Sequence, residues 1–226
     1  MKLVICAGPT TAGKTAVLRY LAKKLLAIGD KVAFLKLDVQ FAEEDEDLNR
    51  ELGLPTRRVY SGERCPDHCS VHVLGKALAW ATKAEANVLI AETAGLCLHC
   101  SSYLDHGLGM VFLEATNGLN LPLEIGSMLS LADVAVVTKV DHVSQAERAD
   151  FRARIMEVAP KVLIREVDAL HGIGIDPLAC RVAATPEAVL SNQPVGTWCD
   201  CFGKKEIGWQ AHFGVVRALD ERTFRV

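Results

Sequence analysis

Gly8-Pro-Thr-Thr-Ala-Gly-Lys-Thr15 is a glycine-bounded segment around which the rest of the chain is arranged. It follows the apolar run Leu3-Val-Ile-Cys-Ala7, long enough for a buried strand. It precedes a helical pattern that sets Val17, Leu18, Leu21, Ala22, Leu25 and Ile28 on one side. Strand, glycine loop and helix in that order give the G-x-x-x-x-G-K-[ST] spacing its physical sense. The glycines let backbone N–H groups curl around phosphate oxygens, and the helix N-terminus adds the positive end of its dipole. On this reading Gly8, Thr11, Ala12 and Gly13 form the cradle, Lys14 reaches the outer phosphates, and the Thr15 hydroxyl ligates Mg²⁺.

Beyond the first helix, Lys31-Val-Ala-Phe-Leu-Lys-Leu37 reads as a second strand with Asp38 at its end. Ligands gather at the carboxyl ends of the strands of an open parallel sheet, so Asp38 is expected to face Mg²⁺ or the attacking water. The acidic run Glu43-Glu-Asp-Glu-Asp47, with Leu48, Leu52 and Leu54 behind it, predicts a short helix whose charges are hydrated surface rather than a metal site. Arg57-Arg-Val-Tyr60 reads as a short strand. Asn87-Val-Leu-Ile-Ala91 is another buried strand, ending in Glu92-Thr-Ala-Gly95. An acid at a strand end followed three residues later by glycine can hold the Mg²⁺ water and sense the γ-phosphate through a backbone N–H, which makes Lys14, Asp38 and Glu92 the catalytic candidates.

Met110–Thr116 is the next strand, a short helix is expected over Leu123–Leu131, and Asp133-Val-Ala-Val-Val137 runs into Thr138-Lys-Val-Asp141. A lysine whose stem packs on a purine, with an aspartate two residues on, selects guanine: the Asp141 carboxylate accepts from N1–H and the exocyclic amine, whereas adenine N1 would be repelled. Ser144 and Glu147 predict a capping box opening a helix to Val158. Lys161–Val167 is a further strand, and the loop beginning at Asp168, with His171 read as exposed, turns into the last helix. From about Pro186 the texture changes to short apolar pieces between prolines and glycines. The expected organisation is an α/β nucleotide-binding domain over residues 1–185 and a small β-rich, cysteine-bearing extension over 186–226.

With half of its 226 residues apolar, the chain can bury one large core. A net charge of −3 gives no electrostatic case for nucleic acid or an anionic membrane as partner. No apolar run approaches the ~20 residues that span a bilayer. Met1-Lys2 leads straight into the first strand, so no secretory signal is read and a cytoplasmic protein is expected. In that compartment the eight cysteines are read as ligands, redox groups or buried residues rather than disulfides. Cys6 and Cys180 are taken as core. The rest fall in three sets, Cys65 with Cys69, Cys97 with Cys100, and Cys199 with Cys201. In Cys65-Pro-Asp-His-Cys69, Pro66 suits the first helical position, which puts Cys65 near the N-cap and His68 and Cys69 on the first turn, where the dipole favours a thiolate. Cys97-Leu-His-Cys100 lies just behind Glu92–Gly95, so Cys65, His68, Cys69, Cys97, His99 and Cys100 are candidate transition-metal ligands beside nucleotide-responsive segments.

In order and spacing, Gly8–Thr15, Asp38, Glu92–Gly95, Thr138–Asp141 and the loop Asp168–Gly174 resemble the CobW/HypB/UreG group of GTPases, over about residues 1–180. Leu37-Asp-Val-Gln40 looks like the switch segment of the hydrogenase accessory protein, and Arg58–His68 looks like the Cys-Pro-His region of the urease accessory protein. The resemblance implies a three-layer P-loop NTPase of the SIMIBI class with a mostly parallel central sheet. It implies GTP or GDP with Mg²⁺, Ala169 among the nucleotide-contacting positions, and Cys/His binding of Ni²⁺ or Zn²⁺ at the interface of a nucleotide- or metal-dependent homodimer. Its partners would be a client metalloenzyme or that enzyme's maturation factors. The chain departs from the pattern at Thr138, which stands where the base motif usually has Asn, at Asp67, inserted between Pro66 and His68, and in its additional cysteines.

The first reading is therefore a GTP-hydrolysing metallocentre assembly factor, slow until a partner or dimerisation completes the site, because no arginine finger is assignable. The alternative is an electron-transfer ATPase of the nitrogenase iron protein kind, with cysteines of two subunits holding an iron–sulfur cluster. Against it, Pro9 stands where that family has an additional lysine, and Lys139 and Asp141 argue for guanine. A structural Zn²⁺ site is the plainer alternative for the cysteines.

Overall fold

The computed structural model describes residues 1–38, 44–61, 66–95, 103 and 107–188, and within these all side chains except those of 44 and 66–72. Seven strands form one sheet: β1 (Lys2–Ala7), β2 (Val32–Asp38), β3 (Thr56–Tyr60), β4 (Val88–Glu92), β5 (Leu108–Glu114), β6 (Val134–Thr138) and β7 (Leu163–Val167). Their order is β3-β2-β4-β1-β5-β6-β7, and every neighbouring pair is parallel. Parallel neighbours need crossovers, which the helices supply, and strands covered on both faces read as continuous apolar runs. In β1, Leu3, Ile5 and Ala7 join the core on one face while Val4 and Cys6 join the core on the other.

The first core is closed by α3 (Pro66–Lys83), α4 (Leu121–Glu124), α5 (Gly126–Ser130) and α6 (Gln145–Val158), through residues such as Leu74, Leu121, Met128 and Phe151. The second is closed by α1 (Lys14–Ala27), α2 (Glu44–Leu52) and α7 (Ile175–Ala183), through Leu18, Leu48 and Leu178. The expected three-layer P-loop architecture is therefore present, with the described sheet wholly rather than mostly parallel. β1 stands at its centre: the chain builds β2 and β3 out on one side and then β5 to β7 on the other. The crevice at its carboxyl end is where an open α/β sheet binds ligands.

Local differences from the sequence reading have plain causes. The single helix expected over 123–131 is two short ones, α4 and α5. The expected capping box is present: Ser144 Oγ accepts from Glu147 N at 3.2 Å, and Glu147 Oε2 accepts from Ser144 N at 2.8 Å. Cys180 is exposed rather than core, because α7 buries Ile175, Leu178, Ala179 and Val182 at helical spacing and Cys180 falls off that stripe. The acidic run is not all hydrated surface. Asp45 is fully buried, with Oδ2 3.0 Å from Arg58 Nη2, and Glu46 Oε1 lies 2.6 Å from the same nitrogen. Burial alone would lower the Arg58 pKa; the bonds and charges of Glu46 and Asp45 outweigh it and hold the guanidinium protonated. The extension beyond residue 188 lies outside the described residues.

Candidate functional site

The loop between β1 and α1 is held by close backbone packing. Gly8 has φ 139°, and a Cβ there would collide with the Phe112 carbonyl; Gly95, with φ 62°, lies so near that its Cβ would strike the Gly8 backbone. The glycine ending Glu92–Gly95 thus rests directly on the first glycine of the loop. Thr11 at φ 66° and Lys139 at φ 53° are two of the three described non-glycine residues with positive φ, and such strain collects where surrounding structure over-determines the backbone. Lys14 arches back over the loop, its Nζ donating to Gly8 O at 2.7 Å and Pro9 O at 2.9 Å. The first turn of α1, whose N–H groups have no intrahelical acceptor, opens on a cleft of about 280 Å³ lined by residues 10–16, Lys36, Asp38 and 92–94. That is small beside the ~300–1,000 Å³ of pockets for whole ligands, and suits the phosphate end of a nucleotide.

On the β4 side of the loop the groups are buried and charged. The Thr15 hydroxyl donates to Glu92 Oε1 at 2.8 Å, with Oε2 at 3.1 Å, and Glu92 is 1% exposed. Lys36 Nζ lies 2.7 Å from Glu92 Oε1 and 3.9 Å from Asp38 Oδ2. Hydroxyl and carboxylate oxygens are the hard donors Mg²⁺ takes, so Thr15, Asp38 and Glu92 fit that ion. Beneath them, Cys6 pairs in register with Glu92. Burial pushes its thiol well above the usual range and the Glu92 charge adds to this, against a smaller opposing effect of Lys14, so Cys6 is a neutral core residue as expected.

On the β6 side the arrangement is more open. Thr138, 1% exposed, donates its hydroxyl to Ala12 O at 2.9 Å, tying the start of Thr138–Asp141 to the phosphate loop. Lys139 Nζ lies 2.9 Å from Glu114 Oε1, and Thr116 Oγ1 makes a short bond to the same oxygen. Burial would raise the Glu114 pKa, but the bonds from Thr116, Lys139 and Thr11 lower it on balance. Asp141 sits in a 3-10 turn over Val140–His142 with His142 Nε2 at 3.3 Å. In the loop after β7, Asp168 Oδ1 accepts from Leu170 N at 2.9 Å and His171 N at 3.2 Å, and Oδ2 meets His171 Nδ1 at 2.5 Å. This network fixes the backbone around Ala169.

The model of the CobW/HypB/UreG nucleotide-binding domain matches residues 2–165, most of the chain. The chain belongs to the CobW/HypB/UreG family. It is 34% identical to the Methanocaldococcus jannaschii protein MJ0120, described as uncharacterized, over 97% of each chain. It is 28% identical to urease accessory protein UreG 2 of Streptomyces griseus over 76% of this chain and 82% of that one. Among solved structures, its fold is similar to the hydrogenase maturation factor HypB of Archaeoglobus fulgidus (TM-score 0.67, 19% identity, 81% of this chain and 89% of that one). It is also similar to HypB of Helicobacter pylori in complex with nickel (TM-score 0.69, 19% identity, 84% and 91%).

For this family member, the structure gathers Gly8, Thr11, Ala12, Gly13, Lys14, Thr15, Asp38, Glu92 and Gly95 around one loop. Lys139 and Asp141 follow the end of β6 and Ala169 follows the end of β7. Of the proposed transition-metal ligands, Cys65, Cys97, His99 and Cys100 lie outside the described residues; His68 and Cys69 fall in the first turn of α3, as expected, with side chains that are not described. Among the described residues no group of three or more His, Cys, Asp or Glu gathers to hold a metal, and no helix is long and apolar enough to cross a membrane. Sequence reasoning missed Lys36 and Glu114. The signal for Lys36 was a lone lysine inside an apolar strand, since a buried charge must have a partner.

Proposed function

We propose that this chain binds and hydrolyses GTP and couples that cycle to a transition metal delivered to a client metalloenzyme. The observation that carries the proposal is the phosphate loop flanked by two unlike sets of groups, the hydroxyl and carboxylate oxygens of Thr15, Asp38 and Glu92 on one side and the half-exposed Lys139 and Asp141 on the other. Mg²⁺, held by Thr15 with Asp38 and Glu92, would supply charge neutralisation of the phosphates. The chain's own part is positional. Lys14 leaves the Gly8 and Pro9 carbonyls for the outer phosphates, the α1 N-terminus supplies N–H donors, and the carboxylates of Asp38 and Glu92 orient water beside the terminal phosphate. Lys139 exchanges its contact with Glu114 for the face of the purine, and Asp141 accepts from guanine.

The metal is cargo rather than a resident cofactor. Cys65, His68 and Cys69 follow the first switch segment, and Cys97, His99 and Cys100 follow Glu92–Gly95, so ligands on both change separation when the terminal phosphate is lost. Ni²⁺ or Zn²⁺ at the interface of two copies fits the donor set. The likeness to a HypB solved with nickel and to a urease accessory protein supports the reading. A thiolate site needs reduced cysteines, which makes the proposal a cytoplasmic one. Titration of Ni²⁺, Zn²⁺ and Co²⁺ into the GDP-bound and analogue-bound protein, beside Cys65→Ala/Cys97→Ala, tests it. Nucleotide-dependent affinity that the double variant loses is expected; equal affinity in both states, retained by the variant, would remove these cysteines from the mechanism.

A further inference from the structure

Lys36 belongs to an apolar strand and faces the phosphate cleft from the β2 side. The parallel register sets it beside Glu92, and its side chain is 7% exposed. Its ammonium lies 2.7 Å from Glu92 Oε1, 3.5 Å from Thr15 Oγ1 and 3.9 Å from Asp38 Oδ2. These are the same three side chains that make up the hard-oxygen set, so a monovalent cation of the chain's own is centred where a divalent one would bind. The two cannot share that space: Mg²⁺ holds its oxygens at ~2.1 Å in a near-octahedral shell, and an ammonium at 2.7 Å from the shared carboxylate blocks part of it. The same cleft contains Lys14 and the loop amides, so an ammonium displaced from Glu92 remains beside any bound phosphate.

We infer that Lys36 is a tethered counter-cation that stands in for Mg²⁺ at Thr15, Asp38 and Glu92 and serves the nucleotide's terminal phosphates. The inference rests on the nucleotide site proposed above and adds a property to it: phosphate binding that survives without a divalent ion. In the metal-free protein Lys36 balances Glu92 and adds a second ammonium, after Lys14, to the cleft. When a divalent ion takes the carboxylate, that ion supplies the counter-charge to the phosphate and the Lys36 ammonium is no longer needed there. By linkage, a protein that already holds a cation there gains less nucleotide affinity from Mg²⁺ than one that does not.

The readout is binding. Fluorescent GDP and a non-hydrolysable GTP analogue are titrated into the full chain in Mg²⁺ and in EDTA, and the ratio of the dissociation constant in EDTA to that in Mg²⁺ is taken for wild type, Lys36→Gln and Lys36→Arg. Lys36→Gln should raise that ratio at least tenfold, mostly by weakening metal-free binding, while Lys36→Arg keeps it within threefold of wild type. Should Lys36→Gln not fold, because Glu92 is left buried without a cation, the pair Lys36→Met with Glu92→Gln is compared with Glu92→Gln alone, which isolates the ammonium, and metal-free GDP affinity should be at least tenfold weaker in the pair. Wild-type binding with a ratio unchanged in Lys36→Gln, or metal-free affinity in the pair equal to that of Glu92→Gln, overturns the role of Lys36 alone. Wild-type protein that binds no GDP in either buffer overturns the nucleotide site and this inference with it.

Discussion

On the β4 side of the phosphate loop, Lys36 and Glu92 keep 7% and 1% of their side-chain surface; on the β6 side, Lys139 and Asp141 keep 41% and 36%. The first pair is desolvated, so each partner depends on the other to offset the cost of burial. Lys139 and Asp141 stand half in water, so the Lys139 ammonium can leave the buried Glu114, which is also bonded by Thr116, and exchange one partner for another. In the proposed function the buried flank would hold a fixed charge geometry for phosphate chemistry, and the open flank would trade its contacts for a base. A buried hydroxyl, Thr138 on Ala12 O, keeps the open flank in step with the loop.

The sharpest way to break this contrast is to remove one buried charge. Glu92→Ala leaves Lys36 without its carboxylate and should cost about 3–5 kcal/mol of stability in chemical denaturation, the range for stripping one partner from a buried pair. A loss no larger than that of Lys139→Ala, measured alongside, would erase the difference between the flanks. On the open side the effect should be on affinity. Asp141→Ala is expected to weaken GTP binding by ~1.5–3 kcal/mol, as for lost hydrogen bonds to a charged group, while leaving the unfolding midpoint in place. Calorimetry that finds GTP affinity unchanged would take Asp141 out of base recognition.

Thr138→Val keeps the shape and deletes the tie, leaving the Ala12 carbonyl short of a donor; about 1 kcal/mol of stability should be lost and Thr138→Ser should restore most of it. A valine variant as stable as wild type would mean that methyl packing rather than the hydroxyl holds this strand end to the loop. The smallest effect belongs to the loop after β7. The hydrogen bond and charge of Asp168 raise the His171 pKa, and the same bond to His171 lowers that of Asp168, against the opposing effect of burial. The His171 contribution is fully present below its unfolded pKa of about 6.5 and is lost as pH rises through the raised folded value. The Asp168 contribution is present above about 3.9 and is lost as pH falls through the lowered one. A proton NMR titration should place His171 above an ordinary histidine, and Asp168→Asn should return it; an ordinary value in wild type would remove the contact.

Much of the fold was legible because its signals are local. Leu3–Ala7 and Asn87–Ala91 are apolar runs of strand length, and the glycine, lysine and threonine spacing names its own loop. What stayed hidden depends on which strands become neighbours. Lys36 and Glu92 are far apart in the chain and meet only because β2 lies beside β4, and the charge of Asp45 is buried only because Arg58 crosses to it from β3. Cys180 was misjudged for a subtler reason, one residue of helical phase. Thr138, a departure from the family's usual Asn when read as sequence, is understood once its hydroxyl is seen on the Ala12 carbonyl. Sequence could show that the position differed, not that a shorter side chain would reach.

Competition between nucleotides at the purified full chain, with Mg²⁺ present and phosphate release followed in parallel, decides whether this cleft takes guanine nucleotides. GTP and GDP should displace a bound fluorescent guanine nucleotide, ATP should need a concentration at least a hundredfold higher, and slow phosphate release should be seen from GTP. ATP that competes as well as GTP, or displacement by neither, would contradict the assignment of this cleft to guanine nucleotides.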